Sequence, residues 1–138
     1  MDYFIGKCGD VNTKDGKEFY LFNDEKIASF KVYNFDSLST IHYEFFKLLP
    51  DYPLFNSTNT IIAFNLYVKE NYRKKNYGKT LCNIIFDECR KLGVEYFLFH
   101  INSNNTNAEK FWDKMEVEKL ISNENLSIFY KKLWLLLI

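Results

Sequence analysis

Residues 73–79, Arg-Lys-Lys-Asn-Tyr-Gly-Lys, place four cations and one glycine between an apolar run at 61–68 and an amphipathic run that begins at Tyr77. Those residue types in that order suit the capture of a phosphate-bearing ligand. A loop that ends a central strand and opens a helix aims several backbone N–H groups and the positive end of the helix dipole at one spot beyond the strand tip. Anions bind at such a spot, and Arg73, Lys74, Lys75 and Lys79 add charge around it.

Two phosphate-binding patterns compete for the loop. Gly78-Lys79-Thr80 matches the tail of a nucleoside-triphosphate P-loop, whose pattern needs a glycine five residues before Gly78. Position 73 is Arg instead, and residues 74–77 are bulky for a backbone wrapped around a triphosphate. The second pattern fits better. Residues 72–81, Tyr-Arg-Lys-Lys-Asn-Tyr-Gly-Lys-Thr-Leu, resemble the coenzyme A pyrophosphate loop of the GNAT superfamily of N-acetyltransferases: Arg or Gln, two residues, Gly, one residue, then Gly or Ala. Arg73 fills the first position, Gly78 the last, and Asn76 replaces the middle glycine. Asparagine is the non-glycine residue that most readily accepts positive φ, so the loop can keep its course. A second motif follows at the spacing that the resemblance requires. After a strand-like run at 94–101, residues 102–112 read Asn-Ser-Asn-Asn-Thr-Asn-Ala-Glu-Lys-Phe-Trp, similar to the family's Asn-x-x-Ala-x-x-(Phe/Leu)-Tyr, with Asn105, Ala108 and Phe111 in place and Trp112 where the Tyr would be.

The resemblance implies an α/β (α+β) fold: a central mixed sheet of about six to seven strands, an antiparallel N-terminal wing, a parallel pair at a splayed cofactor cleft, and helices flanking both faces. It implies acetyl-coenzyme A as co-substrate, with no metal. The pantetheine arm would pair with backbone at Leu66, Tyr67 and Val68. The diphosphate would rest on Arg73, Lys74, Lys75, Asn76, Tyr77, Gly78 and Lys79, with Asn105, Phe111 and Trp112 across the cleft. The activity implied is transfer of the acetyl group to a primary amine, on a small molecule or a protein, by direct attack in a ternary complex. A backbone N–H would polarise the thioester carbonyl, and most of the rate would come from holding the two substrates together.

Direct attack leaves two protons to manage. The amine must lose one, which asks for a general base within reach directly or through a water. The glutamate that some members carry near the start of the cofactor strand is absent, since Thr60, Ile61 and Ile62 occupy that region. His100, His42, Glu44 and Glu70 are candidates by type, and His100, at the end of the second strand, is the one we select; its competing reading is a half-buried structural histidine. The family tyrosine that protonates the departing thiolate is replaced by Trp112, and an indole N–H is not a usable acid. Tyr67 is the candidate substitute. Trp112 and the missing glutamate together raise a second reading, a coenzyme A-binding regulatory or partner module that has lost catalysis.

The elements that must position these residues can be read from pattern. Residues 61–68 are apolar on both alternating faces except at Asn65 and the Tyr67 hydroxyl, as in a strand covered on both sides. From Tyr77 the apolar residues recur at Leu81, Ile84, Ile85 and Leu92, a helical spacing closed by Gly93. Residues 106–115 should form a second core helix capped by Asn104 or Asn105, with Ala108, Phe111, Trp112 and Met115 inward. Strands are expected at 3–8, 18–22 and 27–33, the last two as a hairpin, and at 117–121 and 126–133 as another. One helix is expected from about residue 37 to 49, capped by Asp36 or Ser37 and ended by Pro50, followed by a loop to residue 60. Family members usually place two helices between the first and second strands to roof the acceptor site. Here that gap holds only a short turn segment, so the 37–49 helix or another subunit must supply the roof.

Composition sets the outer bounds. With 138 residues, 47% of them hydrophobic, and 14 Phe, 10 Tyr and 2 Trp, the chain can bury a substantial core as a single domain, residues 1–138, its cofactor core at about 60–115. Eighteen basic and eighteen acidic residues give zero formal charge, so no global field draws it to nucleic acid or an anionic membrane. No apolar run approaches the ~20 residues of a membrane span, and the first residues lack a secretory-leader pattern. A cytoplasmic location is expected. Cys82 and Cys89, seven apart on one helix, lie ~10 Å apart by rise, beyond disulfide reach. The apolar ending Trp-Leu-Leu-Leu-Ile at 134–138 would be sticky if exposed, which makes a homodimer partner a candidate.

Overall fold

The computed structural model describes residues 2–8, 16–49 and 54–134, without the side chains of residues 7 and 8. Its strands are β1 Asp2–Cys8, β2 Gly16–Phe22, β3 Lys26–Asn34, β4 Thr60–Val68, β5 Tyr96–Asn102, β6 Glu118–Ser122 and β7 Leu126–Lys132. They form one seven-stranded sheet in the order β1-β2-β3-β4-β5-β7-β6. Its N-terminal wing, β1 to β4, is antiparallel throughout. Among these strands only β4 and β5 run parallel, and β5 then pairs antiparallel with β7, and β7 with β6. The expected mixed sheet with one parallel pair is therefore the observed architecture.

Helices cover both faces of this sheet. Helices α3, Tyr77–Lys91, and α4, Thr106–Asp113, lie on one face over Phe19, Phe30, Ala63, Phe97 and Phe99, with Leu81, Cys82, Ile85, Phe86 and Trp112 pointing inward. On the opposite face, Leu38, Phe45 and Phe55 pack on Ile62, Phe64, Leu98 and Ile128. Strand β4 shows why it is central: residues 60–64 are buried or nearly so on both faces, whereas 65–68 are not. The change falls where the strand leaves its parallel neighbour.

The single helix expected at 37–49 is two short ones, α1 Leu38–Ile41 and α2 Tyr43–Leu48, broken at His42. His42 has φ −150° and ψ 82°, outside helical space, and its Nδ1 accepts the Phe45 N–H at 3.2 Å, so it caps the second helix. Neither expected cap serves α1: Ser37 makes no side-chain cap bond, and Asp36 instead has its N–H held by Asn34 Oδ1 in the 3-10 turn Phe35–Ser37. Asn105, of the two candidates, caps α4 by accepting the Ala108 N–H at 3.0 Å. Both cysteines of α3 are free and buried; burial pushes the Cys82 thiol well above its usual range and raises that of Cys89 to about 12. The 9–15 segment, Pro50 and the tail at 135–138 lie outside the described residues.

Candidate active site

The site begins as a register fault. Strands β4 and β5 pair only from Thr60↔Tyr96 to Ala63↔Phe99. On the other side of β4, Ser29 faces Tyr67 and Lys31 faces Phe64, so the register shifts and one residue of β3 stands opposite two of β4. The extra residue is accommodated at Asn65, whose φ of 62° is left-handed. A bulge bends and twists its strand, and past it β4 turns from β5. The β5-facing backbone groups of residues 64–68 consequently have no strand partner there, and a cleft of ≈ 880 Å³ opens between the two strands.

Its floor is the loop at residues 73–79. After β4 comes a 3-10 turn, Glu70–Tyr72, and then residues 73–76 lead into α3. Asn76 takes φ 66° and ψ 13°, the left-handed conformation expected of the residue in the glycine position; Lys74 is left-handed too, at φ 63°. Helix α3 has no side-chain N-cap, and its first internal bond is Thr80 N–H to the Asn76 carbonyl at 3.0 Å. The N–H groups of Tyr77, Gly78 and Lys79 are thus left without an intrahelical partner at the cleft. Gly78 is buried there, close enough to Phe111 that a Cβ would meet its ring at 3.2 Å. Arg73 Nε donates to the Val68 carbonyl at 2.8 Å, and its guanidinium lies over the Tyr67 ring at 5.9 Å.

Leu66, Tyr67, Val68, Arg73, Lys74, Asn76, Tyr77, Gly78, Lys79, Asn105, Phe111 and Trp112 all line this one cleft. Lys75, taken from the sequence with the others, does not line it and is exposed, because the left-handed turns on either side carry its side chain outward. Trp112 is only 3% exposed. Its ring packs on Phe99 at 4.1 Å, Phe111 at 5.0 Å and Phe30 at 6.1 Å, so it is a core residue whose edge reaches the cleft.

His100 also lines the cleft, from the α1/α2 face of the sheet. Rings surround it: His42 at 4.6 Å, Phe45 at 5.3 Å and Phe64 at 5.8 Å. Burial, and secondarily the charge of His42, lowers its pKa to about 4, so it is neutral near pH 7. Its Nδ1 is buried and has no hydrogen-bond partner among the described residues. Of the other base candidates, Glu44 pairs with Lys47 at 3.8 Å, and neither Glu44 nor Glu70 lines the cleft. His42 uses its Nδ1 as a helix cap.

Sequence reasoning missed Asn65, Tyr72, Asn102, Lys110 and Lys114, which line the cleft as well. The two lysines had a readable signal, since they sit four apart on the motif helix and flank Phe111. Among the described residues, no group of three or more His, Cys, Asp or Glu is placed to hold a metal, and no helix is long and apolar enough to cross a membrane.

Similar proteins place this geometry. Over 71 residues, 51% of the chain but 31% of the relative's length, it is 30% identical to the L-ornithine N5-acetyltransferase NATA1 of Arabidopsis thaliana. In fold it is similar to the PaiA N-acetyltransferase of Thermoplasma acidophilum, solved in complex with coenzyme A, with a TM-score of 0.64 and 18% identity over 86% of this chain and 61% of that one. The N-acetyltransferase PseH of Campylobacter jejuni gives 0.59 and 17% over 86% and 68%. The family model described as Acetyltransferase (GNAT) family matches residues 10–116. With that match spanning both motifs and the splayed strand pair, the chain belongs to the GNAT acetyltransferase family, whose co-substrate is acetyl-coenzyme A.

Proposed function

We propose that the chain transfers an acetyl group from acetyl-coenzyme A to a primary amine of a small molecule or protein, within a ternary complex. The observation that carries this reading is the junction of the splayed strands with the uncapped start of α3. The residues fit the cofactor. Three unpartnered N–H groups, Arg73, Lys74 and Lys79 suit a diphosphate, and the open backbone edge of β4 suits an extended, amide-bearing arm. Acetyl-coenzyme A supplies, when bound, an acetyl group activated as a thioester and open to attack by a neutral amine.

The chain's own part is positioning and proton handling. The β5-facing N–H groups past Ala63 are available donors for developing negative charge on a carbonyl oxygen. His100, neutral and in the cleft, keeps a nitrogen lone pair at neutral pH and is the candidate acceptor of the amine proton. Its depressed basicity makes it a weak base, so the amine must arrive largely deprotonated. Tyr67, 51% exposed and beneath Arg73, is the candidate donor to a leaving thiolate. Residues 1–138 act as one acetyltransferase domain in a cytoplasmic setting, with a second copy of the chain as a possible partner for the apolar tail.

The burial of Trp112 in the family's tyrosine position favours a second reading, a coenzyme A-binding module without catalysis. One experiment separates them. The purified chain is titrated with coenzyme A by calorimetry and then assayed for thiol release from acetyl-coenzyme A with mono-, di- and aromatic amines and a lysine peptide. Binding with turnover supports the transferase; binding without turnover across the panel selects the second reading, and no binding removes both.

A further inference from the structure

Among the described residues, five cations line the cleft, Arg73, Lys74, Lys79, Lys110 and Lys114, and no Asp or Glu does. None of the five has a carboxylate within ion-pair distance among those residues, and no member of the ion pairs formed there lines the cleft. A chain of zero formal net charge thus concentrates unneutralised positive charge in one groove. Like charges gathered so repel one another and raise the local concentration of polyanions.

The diphosphate accounts for the three cleft-lining cations of the 73–79 loop and leaves two. Lys110 and Lys114 are four residues apart at α4 and its C-cap, hence on one face with about 6 Å between their Cβ atoms. Packing fixes which way that face looks: the Phe111 ring between them rests against the Gly78 position, so the pair borders the groove that Lys79 borders from α3. Exposed lysines on a helix are ordinarily balanced by carboxylates or solvated singly. These two share a groove whose described lining contains no counter-charge.

Resting on the acetyl-coenzyme A reading above, we propose that Lys110 and Lys114 form a second anion subsite, which takes the 3′-phosphate of coenzyme A and lets the chain distinguish that cofactor from its 3′-dephospho form. A phosphomonoester carries about −1.5 to −2 charges at neutral pH. Added to the two of the diphosphate, it brings nearly four negative charges to the five cations of the cleft. Two flexible ammonium groups, compact point charges with three donors each, suit a tetrahedral phosphate held at the watery rim of a groove.

The test is calorimetric titration of the full chain with coenzyme A and with 3′-dephospho-coenzyme A. The wild type is expected to bind coenzyme A on the order of tenfold more tightly, a difference that shrinks as salt is raised. In Lys110→Gln/Lys114→Gln the affinity for coenzyme A falls to that for the dephospho compound, whose own affinity stays within about twofold. The single substitutions each remove part of the difference and serve if the double variant does not fold. Equal affinity of the wild type for both ligands, or a difference that survives both substitutions, overturns the subsite while the dephospho compound still binds. Failure of both ligands to bind the folded wild type overturns the transferase reading itself.

Discussion

The ring of Phe111 on α4 stands against Gly78 at the start of α3: a methyl group on that glycine would meet Phe111 Cε1 at 3.2 Å, Cζ at 3.4 Å and Val68 Cγ2 at 3.5 Å. One contact therefore joins the end of β4, the loop at residues 73–79 and the second motif, all of which line the cleft.

Gly78→Ala tests that joint. Alanine gains up to about 1 kcal/mol in helix propensity over glycine, against about 1–3 kcal/mol for crowding a packed site. The expected net loss is about 1 kcal/mol, read as a fall of a few degrees in thermal midpoint. The KM for acetyl-coenzyme A should rise on the order of tenfold, with kcat little changed, because the methyl group stands beside the helix N–H groups. Adding Phe111→Leu should restore stability and leave KM high. An unaltered KM would show that the glycine serves packing alone.

Arg73 holds the Val68 carbonyl with one nitrogen and presents its charge over Tyr67. Arg73→Ala should raise the KM for acetyl-coenzyme A by about tenfold and leave the melting temperature nearly unchanged, since the side chain is exposed. Arg73→Lys should recover only part of the loss, because an ammonium cannot bond the carbonyl and present a planar fork together. Steady-state kinetics at low and high salt would decide it.

The His100 environment predicts two pH effects. Its folded pKa of about 4 lies below the ordinary 6.5, so the unfolded chain binds more protons between those values. The stability it contributes is complete above about pH 6.5 and is lost as pH falls toward 4. Denaturant midpoints measured across that window should fall in the wild type and fall less in His100→Gln. In activity, log kcat/KM should climb with slope 1 toward the pKa of the amine rather than level off near 6.5. A plateau beginning there would mean that His100 is an ordinary solvated imidazole.

Trp112→Tyr restores the residue type that the motif resemblance leads one to expect. Because Trp112 packs on Phe99, Phe111 and Phe30 and is nearly sealed from solvent, the change should cost about 1–3 kcal/mol of stability. It should leave kcat within about twofold, with proton delivery to the thiolate coming from elsewhere. A large rise in kcat would instead assign the tryptophan the role of a catalytic defect.

The core of this molecule was legible because its information is local. The continuous apolar run of β4, the helical period of α3 and the spacing of two motifs each lie within about forty residues, where side-chain pattern and backbone geometry are tightly coupled. Even the left-handed turn at Asn76 followed from residue type, since few side chains tolerate that conformation.

What pattern did not reveal was the break at His42, where an imidazole caps the helix that its own backbone interrupts. The outward turn of Lys75 between two left-handed residues was hidden too.

The sequence by itself determined the family, the order of the elements and the cationic, glycine-bearing loop at residues 73–79, because each depends on neighbours in the chain. Only the tertiary structure decided where β4 leaves β5, that His100 sits neutral among rings brought from α2, β4 and the break between α1 and α2, and that α4 adds two uncompensated cations to the groove. Those properties arise from contacts between residues tens of positions apart, and burial and electrostatic field belong to the assembled fold rather than to any one stretch of it.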